Sequence, residues 1–358
     1  MKLHFFGLAE FPVRKDLVRC AFIPLAYNFC KMAMDNGHEV VLYGCHGADA
    51  PCSEFVELVD KQTLDEYNNG KNYNDKYYDY ELNSTVWQAF IKNGREELKK
   101  RYKTGDIALI SLGNLHRFVQ EVAPVCCEYA VGYGGSFANH QVFASYAWMH
   151  NQYGCQQRTL KPGWYDAVIP HYLNMQDWEF NENPKGDYLL FLGRLGAGKG
   201  EVFLKDIAEK TGKKIIVSGT APAGTKPEDF LGSHPLIEFV GSSDHVRRVE
   251  LMKNAQGFLC PTTYVEPFGM VAIEAMACGT PVITTDWGAF VETVEESVTG
   301  FHCRTLSEFC NAVNKLPTIS RISCRKRVEK YYSLEAVWPQ YERYFKRLLT
   351  LNGKGWYE

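Results

Sequence analysis

The chain has 358 residues, 46% of them hydrophobic, enough to fill two cores, because single cores stop growing near this length. A formal net charge of −3 at pH 7 excludes a protein that coats nucleic acid or anionic membrane by bulk electrostatics. The 12 cysteines are scattered without CxxC or Cys/His ligand spacing, and no apolar run reaches membrane length; together these point to a cytoplasmic chain with reduced, mostly buried thiols.

In chain order, "KLHFFGL" reads as a short buried strand. Residues 17–36 carry helical spacing, with Pro24 expected to kink or split the helix. "GHEVVLYG" supplies a turn glycine and a strand. Residues 60–105 begin as a Tyr/Asn/Asp-rich surface excursion and continue into a helix near 85–103. "DIALISLG" and "VCCEYAVGYGG" read as strands running into glycine-bearing loops, "QVFASYAWMHNQYG" as a helix and "AVIP" as a short strand. The polar stretch that follows has no period and contains a proline, which suits a linker over 173–187. A second alternation then supplies the strands "YLLFLG", "KKIIVSG", "IEFVG", "GFLCPT" and "PVITT". Its helices fall near 199–211, 244–255, 269–278 and 305–315. The spacing predicts an α/β chain of two Rossmann-like domains, 1–172 and 188–333, with parallel sheets facing across a cleft and ligands at the carboxyl ends of strands. A final helix over about 334–351, with aromatic and leucine residues at helical spacing, is expected to pack back on the first domain.

Two stretches carry the chemistry. In "FLGRLGAGKG" a strand ends at Gly193, and Arg194 and Lys199 bracket a glycine-bearing loop that opens a helix. Backbone N–H groups and two cations suit an anion such as a phosphate, although a plain strand–turn–helix with two solvated cations fits equally. It is not a Walker loop, since the spacing and the Lys-Ser/Thr ending are absent. In "TTYVEPFGMVAIEAMACGTPVI", Pro267 suits a first helical turn, and Gly269 allows close backbone approach to a ligand. The helix after it is apolar on most faces and therefore buried, so Glu274 inside it needs a partner. Either a buried Arg or Lys or a set of ligand hydroxyls such as a ribose diol would serve. Glu266 is either a carboxylate that caps the helix dipole or a ligand contact.

Glu266, seven intervening residues and Glu274 resemble the E-x7-E element of retaining glycosyltransferases of family 4, the large nucleotide-sugar family. "EPFGMVAIEAMACGTPVI" matches almost throughout, and "GRLGAGKG" resembles that family's donor-diphosphate loop. The resemblance is strong over about 190–303 and looser in the first half. It implies a GT-B fold and transfer of a sugar from a nucleotide-diphosphate donor to a hydroxyl acceptor with retained stereochemistry. Arg194 and Lys199 would grip the diphosphate. The N–H groups of Phe268, Gly269 and Met270 would face phosphate and sugar. Glu266 would hold donor-sugar hydroxyls and orient the transferring carbon, while Glu274 would hold the ribose. Gly219, Thr220 and Val240 would border the base. No cofactor and no metal would be needed, with a UDP-sugar favoured over a GDP-sugar.

The chain departs from that pattern in two places. The loop after the first strand, "LAEFPVRKDL", lacks a glycine pair, leaving Arg14 or Lys15 to reach a phosphate. His116 follows the fourth strand of the first domain later than the family's catalytic histidine does; it is read either as a catalytic group or as a surface histidine. Tyr133, Gly134 and Gly135 in "GYGGS" are candidates for binding the acceptor, whose class is open. The alternatives are an isomerase like the nucleotide-sugar 2-epimerases, or a transferase acting on a nucleic-acid base or nucleotide. The basic runs "KKRYK" at 99–103 and "RISCRKR" at 321–327 read as solvated helix faces, and a nucleic-acid acceptor is not favoured.

Overall fold

The computed structural model describes residues 1–18, 20–70, 81–158 and 163–351. The chain divides into two compact units: Met1–Tyr172 together with the C-terminal residues from Leu334, and Leu173–Ser333. In the first, the strands are β1 (Lys2–Phe6), β2 (Glu39–Cys45), β3 (Glu54–Val59), β4 (Ile107–Ile110), β5 (Cys126–Val131), β6 (His140–Phe143) and β7 (Ala167–Val168). They pair in parallel in the order β3-β2-β1-β4-β5-β6-β7. Strands β4, β5 and β6 are buried at every position, as central parallel strands must be when both faces are covered. Phe5 stacks on Phe29 of helix Phe22–Asp35, and Phe29 meets Tyr341 and Phe345 of helix Leu334–Leu351 edge-on at 5.4 and 6.2 Å. The last helix thus completes the core of the first unit.

The second unit contains β8 (Tyr188–Leu192), β9 (Lys214–Ser218), β10 (Ile237–Phe239), β11 (Gly257–Cys260), β12 (Val282–Thr285) and β13 (Gly300–Cys303). These are parallel in the order β10-β9-β8-β11-β12-β13. Each unit is therefore a doubly wound, Rossmann-like layer of sheet and helices.

Several elements differ from the sequence reading. Pro24 does not break its helix, because the helix starts at Phe22 and Pro24 falls in the first turn, where its missing N–H would lack an intrahelical partner anyway. The stretch read as one helix over "QVFASYAWMHNQYG" is split. His140–Phe143 is buried between β5 and β7 as a strand, and the helix begins at Tyr146, where the Ser145 hydroxyl accepts from Trp148 N–H at 3.0 Å. The assigned linker is no tether but part of the second unit. Leu173 N–H donates to Tyr332 O at 2.8 Å, Asn181 N–H donates to Cys278 O at 3.2 Å, and Trp178 packs edge-on against His245. The Tyr/Asn-rich excursion is helical over Lys61–Asn68, and its residues 71–80 lie outside the described residues.

A further difference concerns "RISCRKR". It opens the helix Arg321–Tyr331, but its arginines are not a solvated face. Arg321 donates to the carbonyls of Asn181, Lys253 and Ala255 and to the Thr280 hydroxyl at 2.7–2.9 Å. Arg325 donates to Trp178 O and Ala277 O, and Arg327 to Thr293 O and Glu292 O. Guanidinium forks thereby satisfy the carbonyl ends of several loops at once. We expect Arg321→Ala to destabilise the chain by roughly 3 kcal/mol or more, because it orphans several partly buried carbonyls. Breaking the exposed Arg95–Glu121 pair by Arg95→Ala should cost under about 1 kcal/mol. Equilibrium chemical denaturation of the two variants makes the comparison.

Candidate functional site

Strand order locates the site in the second unit. From β8 the chain winds outward through β9 to β10, and from β11 it winds the other way through β12 to β13. β8 and β11 are neighbours, so the loops leaving their carboxyl ends diverge, and a doubly wound sheet binds ligands at such a point. The loop after β8 carries Arg194 and Lys199, and the loop after β11 carries Glu266.

Absent side chains let these loops touch. A Cβ on Gly200, which has φ +84°, would sit 1.9 Å from Pro261 O, and one on Gly219 would sit 1.8 Å from Gly193 O. Gly198 O accepts from Thr263 N–H at 2.9 Å and from its hydroxyl at 3.1 Å. Glu201, only 4% exposed, takes the Gly196 N–H at 2.6 Å and folds the loop back on itself.

The result is a buried cluster. Lys199 Nζ lies 2.7 Å from Glu266 Oε2, and the Tyr264 hydroxyl donates to the same oxygen at 2.9 Å. Lys199 also stands over the Tyr264 ring, 4.8 Å from its centroid. Burial by itself would lower the Lys199 pKa, but Glu266 and Tyr264 outweigh it and hold the ammonium above its usual value. Burial and then the charge of Glu266 push the Tyr264 hydroxyl up to about 12, so it remains a donor at neutral pH. Among the described residues Glu266 Oε1 carries no hydrogen bond, and the exposed Arg194 has no ion-pair partner.

Gly269, with φ +82°, is the N-cap of helix Met270–Ala277. Its missing side chain is needed, since a Cβ would lie 2.5 Å from the Phe290 ring. The first N–H groups of this helix have no intrahelical acceptor and bear partial positive charge. Phe268 is 3% exposed and packs on Tyr332. Glu274, inside the helix, is paired with Arg248 at 3.3 Å, which is the protein partner its burial demanded. At the ends of β9 and β10, Gly219 N–H donates to Gly241 O and Val240 N–H to Val217 O, both at 3.0 Å, and Thr220 O accepts from Leu195 N–H. The structure therefore gathers Arg194, Lys199, Gly219, Thr220, Val240, Glu266, Phe268, Gly269, Met270 and Glu274 on the carboxyl-end loops of one sheet or on the helix that starts there.

The other candidates belong to the first unit. His116 is fully buried, stacked on Phe90 and flanked by Phe6 and Trp87, which rules out the surface reading. Its Nδ1 accepts from Ser111 N–H at 3.3 Å, and burial lowers its pKa to about 4. Tyr133 donates to the buried Glu128 at 3.0 Å, and Glu128 also accepts from Phe137 N–H and Ala138 N–H. That carboxylate shapes the loop and leaves Gly134 and Gly135 exposed at its tip. Arg14 is taken by Asp16 in a two-pronged pair. Among the described residues no group of three or more His, Cys, Asp or Glu side chains is arranged to hold a metal ion, and no helix is long and apolar enough to cross a membrane.

The segment that carries this site matches a known family. Residues 174–330 match the family of glycosyl transferases group 1. Over 158 residues the chain is 34% identical to an uncharacterised glycosyltransferase of Methanocaldococcus jannaschii, covering 38% of this chain and 40% of that protein. Over 120 residues it is 33% identical to the D-inositol 3-phosphate glycosyltransferase of Mycobacterium tuberculosis, covering 31% of this chain and 25% of that one. The matched stretches thus span less than half of these relatives. Solved glycosyltransferase structures resemble the whole chain. A glycosyltransferase involved in avilamycin A biosynthesis superposes with a TM-score of 0.69 at 18% identity, covering 98% of both chains. The sucrose-phosphate synthase of Thermosynechococcus elongatus superposes at 0.73 and 15%, covering 98% of this chain and 100% of that one. At these identities the likeness establishes the fold, which is GT-B.

Four residues that matter here were not among the sequence candidates. Tyr264 was legible in principle, because in an extended segment residues i and i+2 share a face, which puts it beside Glu266. Glu201 directly follows the glycine loop. Arg248 and Trp287, whose Nε1 donates to Tyr264 O at 3.1 Å, lie far from their partners in sequence and gave no local signal.

Two outcomes follow from this geometry. Gly200→Ala should lower stability well beyond Gly212→Ala, since both positions have positive φ but only Gly200 has backbone in the way. The strain alone costs about 1 kcal/mol, and the overlap adds to it, which thermal denaturation would resolve. His116 and His171 both have pKa values lowered by burial from 6.5 to about 4. Each stays neutral when folded but takes up a proton when unfolded. Stability is therefore complete above pH 6.5 and falls as the pH drops towards 4, by up to roughly 3 kcal/mol per histidine. His116→Gln should flatten that slope in denaturation curves taken across the window.

Proposed function

We propose that the chain is a retaining glycosyltransferase that moves a sugar from a nucleotide-diphosphate donor to a hydroxyl acceptor without requiring a metal ion. The observation that carries this reading is the meeting of Lys199 and Glu266, 2.7 Å apart, on the two loops of the switch point. The matched family segment, residues 174–330, contains both.

In this reading Lys199, Arg194 and the N–H groups opening at Gly269 receive the diphosphate. The C1–O bond to the diphosphate breaks and negative charge grows on the leaving oxygen, where fixed cationic donors count most. The sugar passes through an oxocarbenium-like state. Glu266 holds its hydroxyls, and the acceptor enters from the face the diphosphate leaves, giving its proton to a leaving-phosphate oxygen. Glu274, oriented by Arg248, binds the ribose diol, and Gly219, Thr220 and Val240 border the base. The exposed Gly134–Gly135 tip with Tyr133 receives the acceptor. A structure of the Anabaena protein HepE with UDP and glucose, similar in fold with a TM-score of 0.64, supports placing UDP-sugars first among candidate donors.

A thermal-shift screen against UDP, GDP and ADP, followed by hydrolysis of the corresponding sugar donors, tests the reading. Lys199→Ala and Glu266→Ala should each lower turnover by roughly a hundredfold or more with the fold retained. Glu274→Ala should weaken nucleoside diphosphate binding more than it slows bond cleavage. Full turnover in either of the first two variants, or a donor converted to its epimer with no transfer product, would remove the assignment.

A further inference from the structure

Tyr264 occupies a position that simple packing does not require. Its hydroxyl donates to Glu266 Oε2 at 2.9 Å, the same oxygen that Lys199 approaches at 2.7 Å. Its ring lies under the Lys199 ammonium and against Gly198, where a Cβ would come within 3.2 Å of the ring. Its carbonyl is held by the Trp287 indole N–H at 3.1 Å. The side chain is thus fixed by the loops leaving β8 and β11, and its backbone by Trp287 after β12.

We propose that Tyr264 is a positioning residue of the donor-sugar site, acting through Glu266. With Lys199 it saturates Oε2, so that Glu266 presents Oε1 alone, in one orientation, to a hydroxyl of the donor sugar. A carboxylate held by the lysine alone could swing about its last torsion and exchange its two oxygens. The tyrosine removes that freedom. The hydroxyl stays protonated at neutral pH, as this role requires. The inference rests on the donor-site reading above and adds a residue to it. It places the effect of Tyr264 on the sugar half of the donor and not on the nucleotide half.

Tyr264→Phe in the full chain tests it, because that change keeps the ring beneath Lys199 and removes only the hydroxyl. The probes are UDP, GDP and ADP for affinity by calorimetry, and UDP-glucose, UDP-N-acetylglucosamine, GDP-mannose and ADP-glucose for hydrolysis. Relative to the unsubstituted chain, the variant should bind the preferred nucleoside diphosphate within about twofold, and its kcat for donor hydrolysis should fall roughly tenfold, the ordinary value of one hydrogen bond to a charged group. kcat/KM should fall by the same factor, since the interaction serves the transition state. Tyr264→Leu, which also removes the ring from Lys199, should weaken nucleoside diphosphate binding as well. Unchanged kcat in Tyr264→Phe, or a loss of nucleotide affinity as large as the loss of kcat, overturns the role of Tyr264 while leaving the donor site standing. An unsubstituted chain that binds none of the nucleotides, or a Lys199→Ala variant with full turnover, overturns the donor site and this inference together.

Discussion

The ion pair between Lys199 and Glu266 is the constraint around which the second unit is organised. Two opposite charges in a largely buried place gain little net stability, since desolvation offsets most of their attraction, and such a pair is costly to leave half made. It needs two loops from neighbouring strands to approach within hydrogen-bond distance, and that approach explains the local sequence. Gly200 and Gly219 are where a Cβ would strike backbone of the adjoining loops. Glu201 restrains the loop through Gly196, and Thr263 ties it to the segment that carries Glu266.

The rest of the unit works as support for these loops. Three arginines of one helix, Arg321, Arg325 and Arg327, collect carbonyl oxygens from segments around 175–181, 253–255, 277–280 and 292–293. A guanidinium can serve several acceptors in one plane, which a lysine cannot, and this suits the inner side of a helix whose outer side is polar. A similar economy shapes the first unit, where the carboxylate of Glu128 takes two backbone N–H groups and a tyrosine hydroxyl to set the glycine loop after β5. His116 shows the opposite solution, a polar ring made neutral and enclosed by aromatics.

Much of the fold was legible in the sequence. Apolar strands alternating with amphipathic helices specify doubly wound sheets, and the longer strands fall where their runs of β-branched and aromatic residues lie. Elements whose pattern is short or mixed were not legible. β3 (Glu54–Val59) mixes charged and apolar residues without strict alternation at a sheet edge, β6 (His140–Phe143) merges into the following helix, and β13 (Gly300–Cys303) has Phe301 as its one strand-favouring residue. In the site, Arg194, Lys199, Glu266 and Glu274 could be named because spacing and family resemblance mark them. Arg248 and Trp287 could not, because ordinary residue types gain significance only from the partner they meet, and Tyr264 was marked only by its place two residues from Glu266.

The sequence by itself determined two α/β units, a glycine-bearing cationic loop and a helix that had to find a partner for a buried glutamate. It did so because periodicity, backbone freedom and the cost of burying charge are local properties, readable over a dozen residues. Only the tertiary structure decided which partner was found. It set Lys199 and Tyr264 on one oxygen of Glu266, gave Glu274 to Arg248, turned the basic run at 321–327 inward and buried His116. Those outcomes depend on strand order and on contacts between residues up to about 150 apart in the chain, such as Arg325 and Met175, which no local pattern encodes.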